Sequence, residues 1–228
     1  MIQKPIISVA EAADKVKGGD TILVGGFLSV GSPLGIIRAL AATDTAGMTL
    51  VCNDTANHDL KTGALGGVAH LVAAKKFKRI IASHIGLNQE TQRQMNAGET
   101  QVDLVPQGTL AEQIRAAGAG LGGFLTPTGV GTEVEQGKQV LTIEGRPYLL
   151  ELPLRGNVAL IKARVADRAG NLIYSATARN FNPIMATAAD MVIVEAEEIV
   201  DIWVLDPDAV HTPSIFVDFI VEAEDLEG

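Results

Sequence analysis

The stretch ILVGGFLSVGSPLGIIRAL, Ile22 to Leu40, opens as an apolar strand and closes as an amphipathic helix. Between them stand Gly25-Gly26 and then Gly31-Ser32-Pro33. Glycine lets a ligand approach the main-chain N–H groups because no Cβ stands in the way. Ser32 is read as the N-cap of the helix and Pro33 as its first residue. Leu34, Ile37, Leu40 and Ala41 then recur at helical spacing. A helix beginning there points unpaired N–H groups and a positive dipole end at whatever lies against the turn. The glycines do not form G-x-G-x-x-G, and no Gly-Lys-Ser/Thr follows, so this is neither a dinucleotide fingerprint nor a P-loop. The residues leave two readings open, a cradle for an anion or polar group and a structural tight turn.

The pattern repeats on both sides of this stretch. ISVAEAADKVKGGD reads as a helix, with Ser8 and Glu11 as a capping box and Gly18 at its end. TILV, Thr21 to Val24, is a buried strand. MTLVCNDT ends as a strand in Asn53-Asp54, RIIASHIG in Ser83-His84, and VDLVPQGT near Pro106-Gln107. TLAEQIRAA follows as a helix, with Thr109 and Glu112 as a second capping box. Strands alternating with helices imply a parallel sheet covered on both faces. In such sheets ligands lie at the carboxyl ends of the strands. Gly25-Gly26, Asn53-Asp54, Ser83-His84 and Gln107-Gly108 therefore open on one edge, where amides, hydroxyls and bare N–H groups suit an acyl or carboxylate ligand.

The rest is more β-rich. Arg115 to Gly137 carries seven glycines from Gly118 onward, together with Leu121, Phe124, Leu125 and Val130. It is read as an ordered loop, either a pocket wall or lid or a plain surface excursion. NVALIKARVADRAGNLIYSA reads as two strands about the turn Asp167 to Asn171. MVIVEAEEIV is a buried strand with a possible bend near Ile199, and TPSIFVDFIVEA is open between helix and strand. Together these give one domain, 1–228: an open, mainly parallel α/β sheet with helices on both faces and a β-rich C-terminal half.

Composition narrows the classes. Hydrophobic residues make up 47% of the 228 and aromatics 4%, so the core is large and aliphatic. A net charge of −9 opposes nucleic-acid binding. The cluster KKFKR, Lys75 to Arg79, is read as a solvated helix end, with phosphate contact as the alternative. No run reaches ~20 apolar residues, so no membrane span is expected. The N-terminal residues carry no signal-peptide pattern and the lone Cys52 cannot form an internal disulfide, which together fit a cytoplasmic protein. Cys52 is read as a buried apolar residue. His58, His70, His84 and His211 lack metal-ligand spacing, so no metal is expected. Arg179-Asn180 suits either a carboxylate or partner contact or a structural salt bridge, and Trp203 and Phe216 suit a core or a subunit contact.

GGFLSVGSP, at Gly25 to Pro33, resembles the GGFxxxGxP signature of the family I coenzyme A transferases, in their α (A) subunit. CNDT, ASHIG, VPQGTLAEQIRAAGAGLGGFLTPTGVGT, LLELPL and ARNFNP resemble further segments of that subunit, in the same order, over nearly the whole chain. One departure is Gly18-Gly19, where the family often has Asp-Gly or Asn-Gly; it alters the turn entering the strand, not the loop.

The resemblance implies an enzyme that moves CoA from an acyl-CoA to a short-chain acid of the acetate, acetoacetate, butyrate or 3-oxoacid type. CoA and acyl-CoA are substrates, and no covalently bound cofactor is implied. A glutamate attacks the thioester, and an anhydride and then a glutamyl-CoA thioester follow. The nucleophile belongs to a β (B) subunit, in an α2β2 assembly. Its Ser-Glu-Asn-Gly type motif is absent here, and Glu90, Glu112, Glu133, Glu151 and Glu195 do not sit in that context. Gln107 matches the family's donor to the acyl oxygen, and Asn53 an acyl-pocket residue, with Ser83 and His84 beside it on the same edge. Gly25, Gly26, Phe27, Leu28, Ser29, Val30 and Gly31 match the CoA-binding loop. Two other classes fit an α/β chain. A ligand sensor usually carries a basic DNA-binding extension, and a sugar-phosphate isomerase needs converging basic residues and a base of its own; neither is visible here.

Overall fold

A computed structural model describes residues 3–224, so residues 1, 2 and 225–228 of the expected single domain lie outside the described part. The first helix, α1 (Val9–Lys15), carries the expected capping box. The Glu11 N–H donates to Ser8 Oγ at 3.2 Å, and the Ser8 N–H to Glu11 Oε2 at 2.8 Å. It stops at Lys15, short of Gly18. There follow β1 (Thr21–Val24), α2 (Leu34–Ala42), β2 (Met48–Asp54), α3 (Ala69–Ala73), β3 (Phe77–His84), α4 (Gln89–Asn96), β4 (Gln101–Leu104) and α5 (Gln107–Gly118). The second half is β5 (Phe124–Thr126), β6 (Val140–Ile143), β7 (Arg146–Glu151), β8 (Gly156–Asp167), β9 (Leu172–Ile173), α6 (Asn182–Ala186), β10 (Ala189–Val200) and β11 (Phe219–Glu222).

The main sheet runs β11-β10-β8-β1-β2-β3-β4, all neighbours parallel, with β9 antiparallel on β8. The chain lays down β1 to β4 outward in one direction, then returns to β8 on the other side of β1. The order therefore reverses between β1 and β8, the switch point where open α/β sheets form their crevice. Alternation along the central strands feeds two cores. Ile22, Val24, Leu50, Cys52 and Ile80 pack with Ile36, Ile37 and Leu40 of α2 and Leu71 of α3. Leu23, Val51 and Ile81 pack on the opposite face with Leu110 and Ile114 of α5 and Met185 of α6. Every residue of β2 is buried, as its position between two strands and two helix layers requires.

Several local expectations differ. Pro33, not Ser32, holds the cap position of α2, and Ser32 turns back to donate to the Gly25 carbonyl at 3.3 Å. Thr109 and Glu112 form no capping box. The helix α5 begins two residues earlier, at Gln107, so Glu112 sits mid-helix and pairs with Arg115. Consequently Gln107-Gly108 belong to the first turn of α5 rather than to β4, which ends at Leu104. The run KKFKR is a solvated helix end only at its first residue: exposed Lys75 follows α3, Lys76 is buried and donates to the Thr43 carbonyl, and Phe77 to Arg79 lie in β3, with Lys78 and Arg79 exposed. β10 runs unbroken past Ile199, because β8 pairs with it over its whole length. The segment from Thr212 is a short 3-10 turn, Ser214–Phe216, followed by β11.

The glycine-rich run is not a plain excursion. Its Phe124–Thr126 strand joins a second, antiparallel sheet of order β5-β7-β6. Trp203 is outside both cores, 76% exposed, with a left-handed φ of 77°.

Candidate functional site

The turn after β1 sits at the switch point, tied to β8 by the Gly25 N–H, which donates to the Leu160 carbonyl at 2.9 Å. Phe27 and Val30 exchange two main-chain hydrogen bonds, at 3.0 and 2.9 Å. The two residues between them, Leu28 and Ser29, both have positive φ, 46° and 76°. That is the geometry of a two-residue hairpin of the primed type, which usually takes Asn-Gly. Two L-residues with side chains there mean that the surroundings hold the turn in a costly conformation. Phe27, Leu28 and Val30 are more than two-fifths exposed and, with Thr177 and Asn180, line an open apolar cleft of about 540 Å³.

What lies against the bare backbone is largely the chain itself. A Cβ on Gly25 would overlap Asn182 Oδ1 and lie 2.7 Å from Asn182 Cγ. A Cβ on Gly26, whose φ is +119°, would overlap Ser32 Oγ. One on Gly31 would meet the Ala178 carbonyl at 2.7 Å. Asn182, fully buried at the start of α6, donates to the Gly31 and Ala178 carbonyls at 3.0 and 2.8 Å and accepts from the Lys162 N–H at 3.1 Å. Asn180 adds a bond to the Val30 carbonyl at 2.9 Å, so it braces the turn. One of the first N–H groups of α2 is likewise taken within the chain. Glu195 of β10, 2% exposed, accepts the Ile36 N–H at 2.9 Å. Burial pushes the Glu195 carboxyl above the ordinary range, partly offset by main-chain N–H groups at the start of α2.

A polar chain crosses the strand ends beside this turn. Asn53, 2% exposed at the end of β2, accepts from Gln107 Nε2 at 2.6 Å. It donates from Nδ2 to Asp54 Oδ2 at 2.6 Å. Ser83 Oγ donates to the Asn53 carbonyl at 2.7 Å, which fixes the strand-end geometry from β3. Gln107 itself is exposed on the first turn of α5, with a second N–H and Oε1 to spare beyond the bond to Asn53. His84 is exposed at the tip of β3, adjacent in register to Asp54. The structure thus places Asn53, Ser83 and Gln107 in one hydrogen-bonded group, with His84 at the end of the same strand as Ser83.

The carboxylates of the chain are mostly engaged elsewhere. Glu151 is buried against Lys138 and Gln113 at 2.5 and 3.0 Å. Glu90 binds Arg93 and Gln94, Glu112 binds Arg115, and Glu133 lies in an exposed 3-10 turn. Cys52 is buried, and desolvation with the nearby Asp54 charge raises its pKa well above that of an ordinary thiol, so it is held as a neutral thiol. His211 Nδ1 accepts the Tyr174 N–H at 3.0 Å and its ring stacks on Tyr174. Among the described residues no group of three or more His, Cys, Asp or Glu is placed to hold a metal ion, and no helix is long and apolar enough to cross a membrane.

Three residues matter more than the sequence suggested. Asn182 and Ser32 fill the space that the glycines leave, and Glu195 serves the helix start rather than the chemistry. A glutamate inside the apolar run MVIVEAEEIV was the visible signal, because a buried carboxylate requires donors. The Asn-Pro of ARNFNP was the other, placing a short polar side chain at a helix start.

Residues 6–223 match the family described as Coenzyme A transferase. Over 220 residues, 96% of this chain and 97% of the relative, the sequence is 48% identical to the acetate CoA-transferase subunit alpha of Escherichia coli K12. It is 45% identical over 206 residues, 90% of this chain and 92% of the relative, to the acetoacetyl-CoA:acetate/butyrate CoA transferase alpha subunit of Clostridium acetobutylicum. Among solved structures, the acyl-CoA transferase YdiF of E. coli O157:H7, a thioester complex with CoA, superposes with a TM-score of 0.87 at 20% identity. This chain is covered to 99% and spans 48% of that longer one. The decarboxylase AibA/AibB also shares the fold, at a TM-score of 0.79 and 24% identity over 97% of this chain and 84% of that one, so the fold alone does not fix the chemistry. It is the sequence match along almost the entire length that decides: the chain belongs to the coenzyme A transferase family.

Proposed function

We propose that the chain is the A-type subunit of an enzyme that transfers CoA between an acyl-CoA and a short-chain carboxylic acid, and that a B-type partner supplies the nucleophilic glutamate. The observation that carries this reading is the Gln107 carboxamide, exposed at the strand-end rim yet anchored through buried Asn53. Attack on a thioester carbon moves negative charge onto the acyl oxygen. A preorganised N–H aimed at that oxygen stabilises the transition state more than the substrate.

The reaction then runs in balanced steps. The partner's glutamate oxygen bonds to the acyl carbon, and the C–S bond breaks to release CoA thiolate and a mixed anhydride. The thiolate attacks the glutamyl carbonyl, freeing the first acid and leaving glutamyl-CoA. The acceptor carboxylate reverses both steps and leaves as a new acyl-CoA. This chain's part is to hold the thioester and its leaving group. The apolar rim of Phe27, Leu28 and Val30 suits the pantetheine arm, whose binding far from the reacting bond lowers the barrier at it. Relatives named for acetate, for acetate and butyrate, and for 3-ketoacids are 45–48% identical, which supports short-chain acids as the substrate class.

The test is Gln107→Ala in the enzyme assembled with its B-type chain. The rate constant falls by ~10²–10³, the usual loss for one oxyanion donor, with folding unchanged. A rate within a factor of about two of the parent removes Gln107 from this role.

A further inference from the structure

We infer that Asp54 is a positioning residue that sets which end of the Gln107 carboxamide faces the reacting centre and holds the strained Leu28-Ser29 turn beside it. This rests on the role proposed above for Gln107. Asp54 is 6% exposed and is the last residue of β2. Its Oδ1 accepts the Ala56 N–H at 2.8 Å. Its Oδ2 accepts both the Leu28 N–H at 3.0 Å and Asn53 Nδ2 at 2.6 Å.

The polarity of the relay follows from chemistry. An ionised carboxylate only accepts hydrogen bonds. Asn53 must therefore turn its NH₂ to Asp54, which leaves its Oδ1 toward Gln107. Gln107 must in turn offer Nε2 to that oxygen, at 2.6 Å. One Nε2 proton is then fixed in the bond, and the plane of the amide directs the other outward. Without the charge at Asp54, only the long 3.4 Å contact from Ser83 Oγ to Asn53 Oδ1 still favours this orientation. A half-turn of both amides then exchanges Nε2 and Oε1 of Gln107, so the point addressed by the second Nε2 proton meets an oxygen lone pair, a repulsive group for a developing oxyanion. The same Oδ2 also takes the N–H of Leu28, a residue at φ 46°. One carboxylate thus couples the turn to the donor.

Asp54→Asn tests the arrangement, because it keeps shape and removes the acceptor-only character. In the assembled enzyme we expect kcat to fall about tenfold to a hundredfold, the scale of a misoriented group. KM for acyl-CoA rises as well, through the released turn. In a Gln107→Ala background the kcat effect of Asp54→Asn disappears while the KM effect persists. A kcat loss that simply multiplies with that of Gln107→Ala overturns the inference, as does a normal kcat in Asp54→Asn.

An activity-independent readout separates the two proposals. In the ¹⁵N-labelled chain, the side-chain amide signal lost in Gln107→Ala identifies Gln107. Its two proton shifts, distinct in the parent, move toward each other in Asp54→Asn. An unchanged signal overturns the inference even if Gln107 is essential. A shifted signal with normal turnover in Gln107→Ala leaves the orientation intact and rejects the catalytic role of Gln107 instead.

Discussion

The Asn182 side chain occupies the space that a side chain on Gly25 would need, its Cγ lying 2.7 Å from where a Cβ would stand. Asn182 cannot move away without cost. It carries the Gly31 carbonyl, the Ala178 carbonyl and the Lys162 N–H. Gly25 and Asn182 therefore form one packed unit behind the turn, and the glycine is required by the chain's own interior.

Gly25→Ala should destabilise by about 1–3 kcal/mol, the usual range for overpacking. Thermal unfolding of the parent, Gly25→Ala, Asn182→Ala and the double variant measures it. The two changes should be strongly non-additive, since each disrupts the same bonds. An unaltered melting temperature in Gly25→Ala would mean that Asn182 relaxes freely.

Glu195 gives a signed pH effect. Its folded pKa is raised by burial above the unfolded value. Its contribution to stability is therefore fully present below the unfolded value near 4.5 and lost as pH rises through the folded one. Glu195→Gln removes the titration and keeps an oxygen for the Ile36 N–H. The stability of the variant relative to the parent should climb across that window and then level off. A difference that stays flat from pH 4 to 8 contradicts the assignment.

Arg93 works in the opposite direction. Its hydrogen bonds hold both Glu90 and Glu99 at about 2. Lowered carboxylates stabilise above their unfolded values near 4.5, and the gain is lost as pH falls toward 2. Arg93→Gln should move the acid-unfolding midpoint upward by a small amount, because the arginine is partly solvated. Circular dichroism against pH checks it, and a midpoint moving down refutes it.

Much of the architecture was legible because apolar runs and caps are local signals. Thr21–Val24 and the Ser8–Glu11 box could be read directly, and the four parallel strand ends followed from alternation with helices. Two misreadings concern caps. Ser32 and Thr109 have the chemistry of caps, but the fold uses them otherwise. Ser32 Oγ serves the Gly25 carbonyl, and Thr109 is buried inside a helix that starts at Gln107. The site was legible in part. Asn53, Ser83 and Gln107 were chosen from separate strand ends, and the structure brings them together. Glu195 and Ile36, 159 residues apart, could not be paired from spacing, because only the sheet order brings β10 near α2.

In the proposed function this chain orients the thioester while another chain attacks it. The direct measurement is intact mass of each chain after acyl-CoA is added to the assembled enzyme and quenched under denaturing conditions. The expected result is a CoA adduct on the B-type chain, with this chain at its unmodified mass. An adduct on any glutamate of this chain would place the nucleophile here and overturn the proposed division of roles.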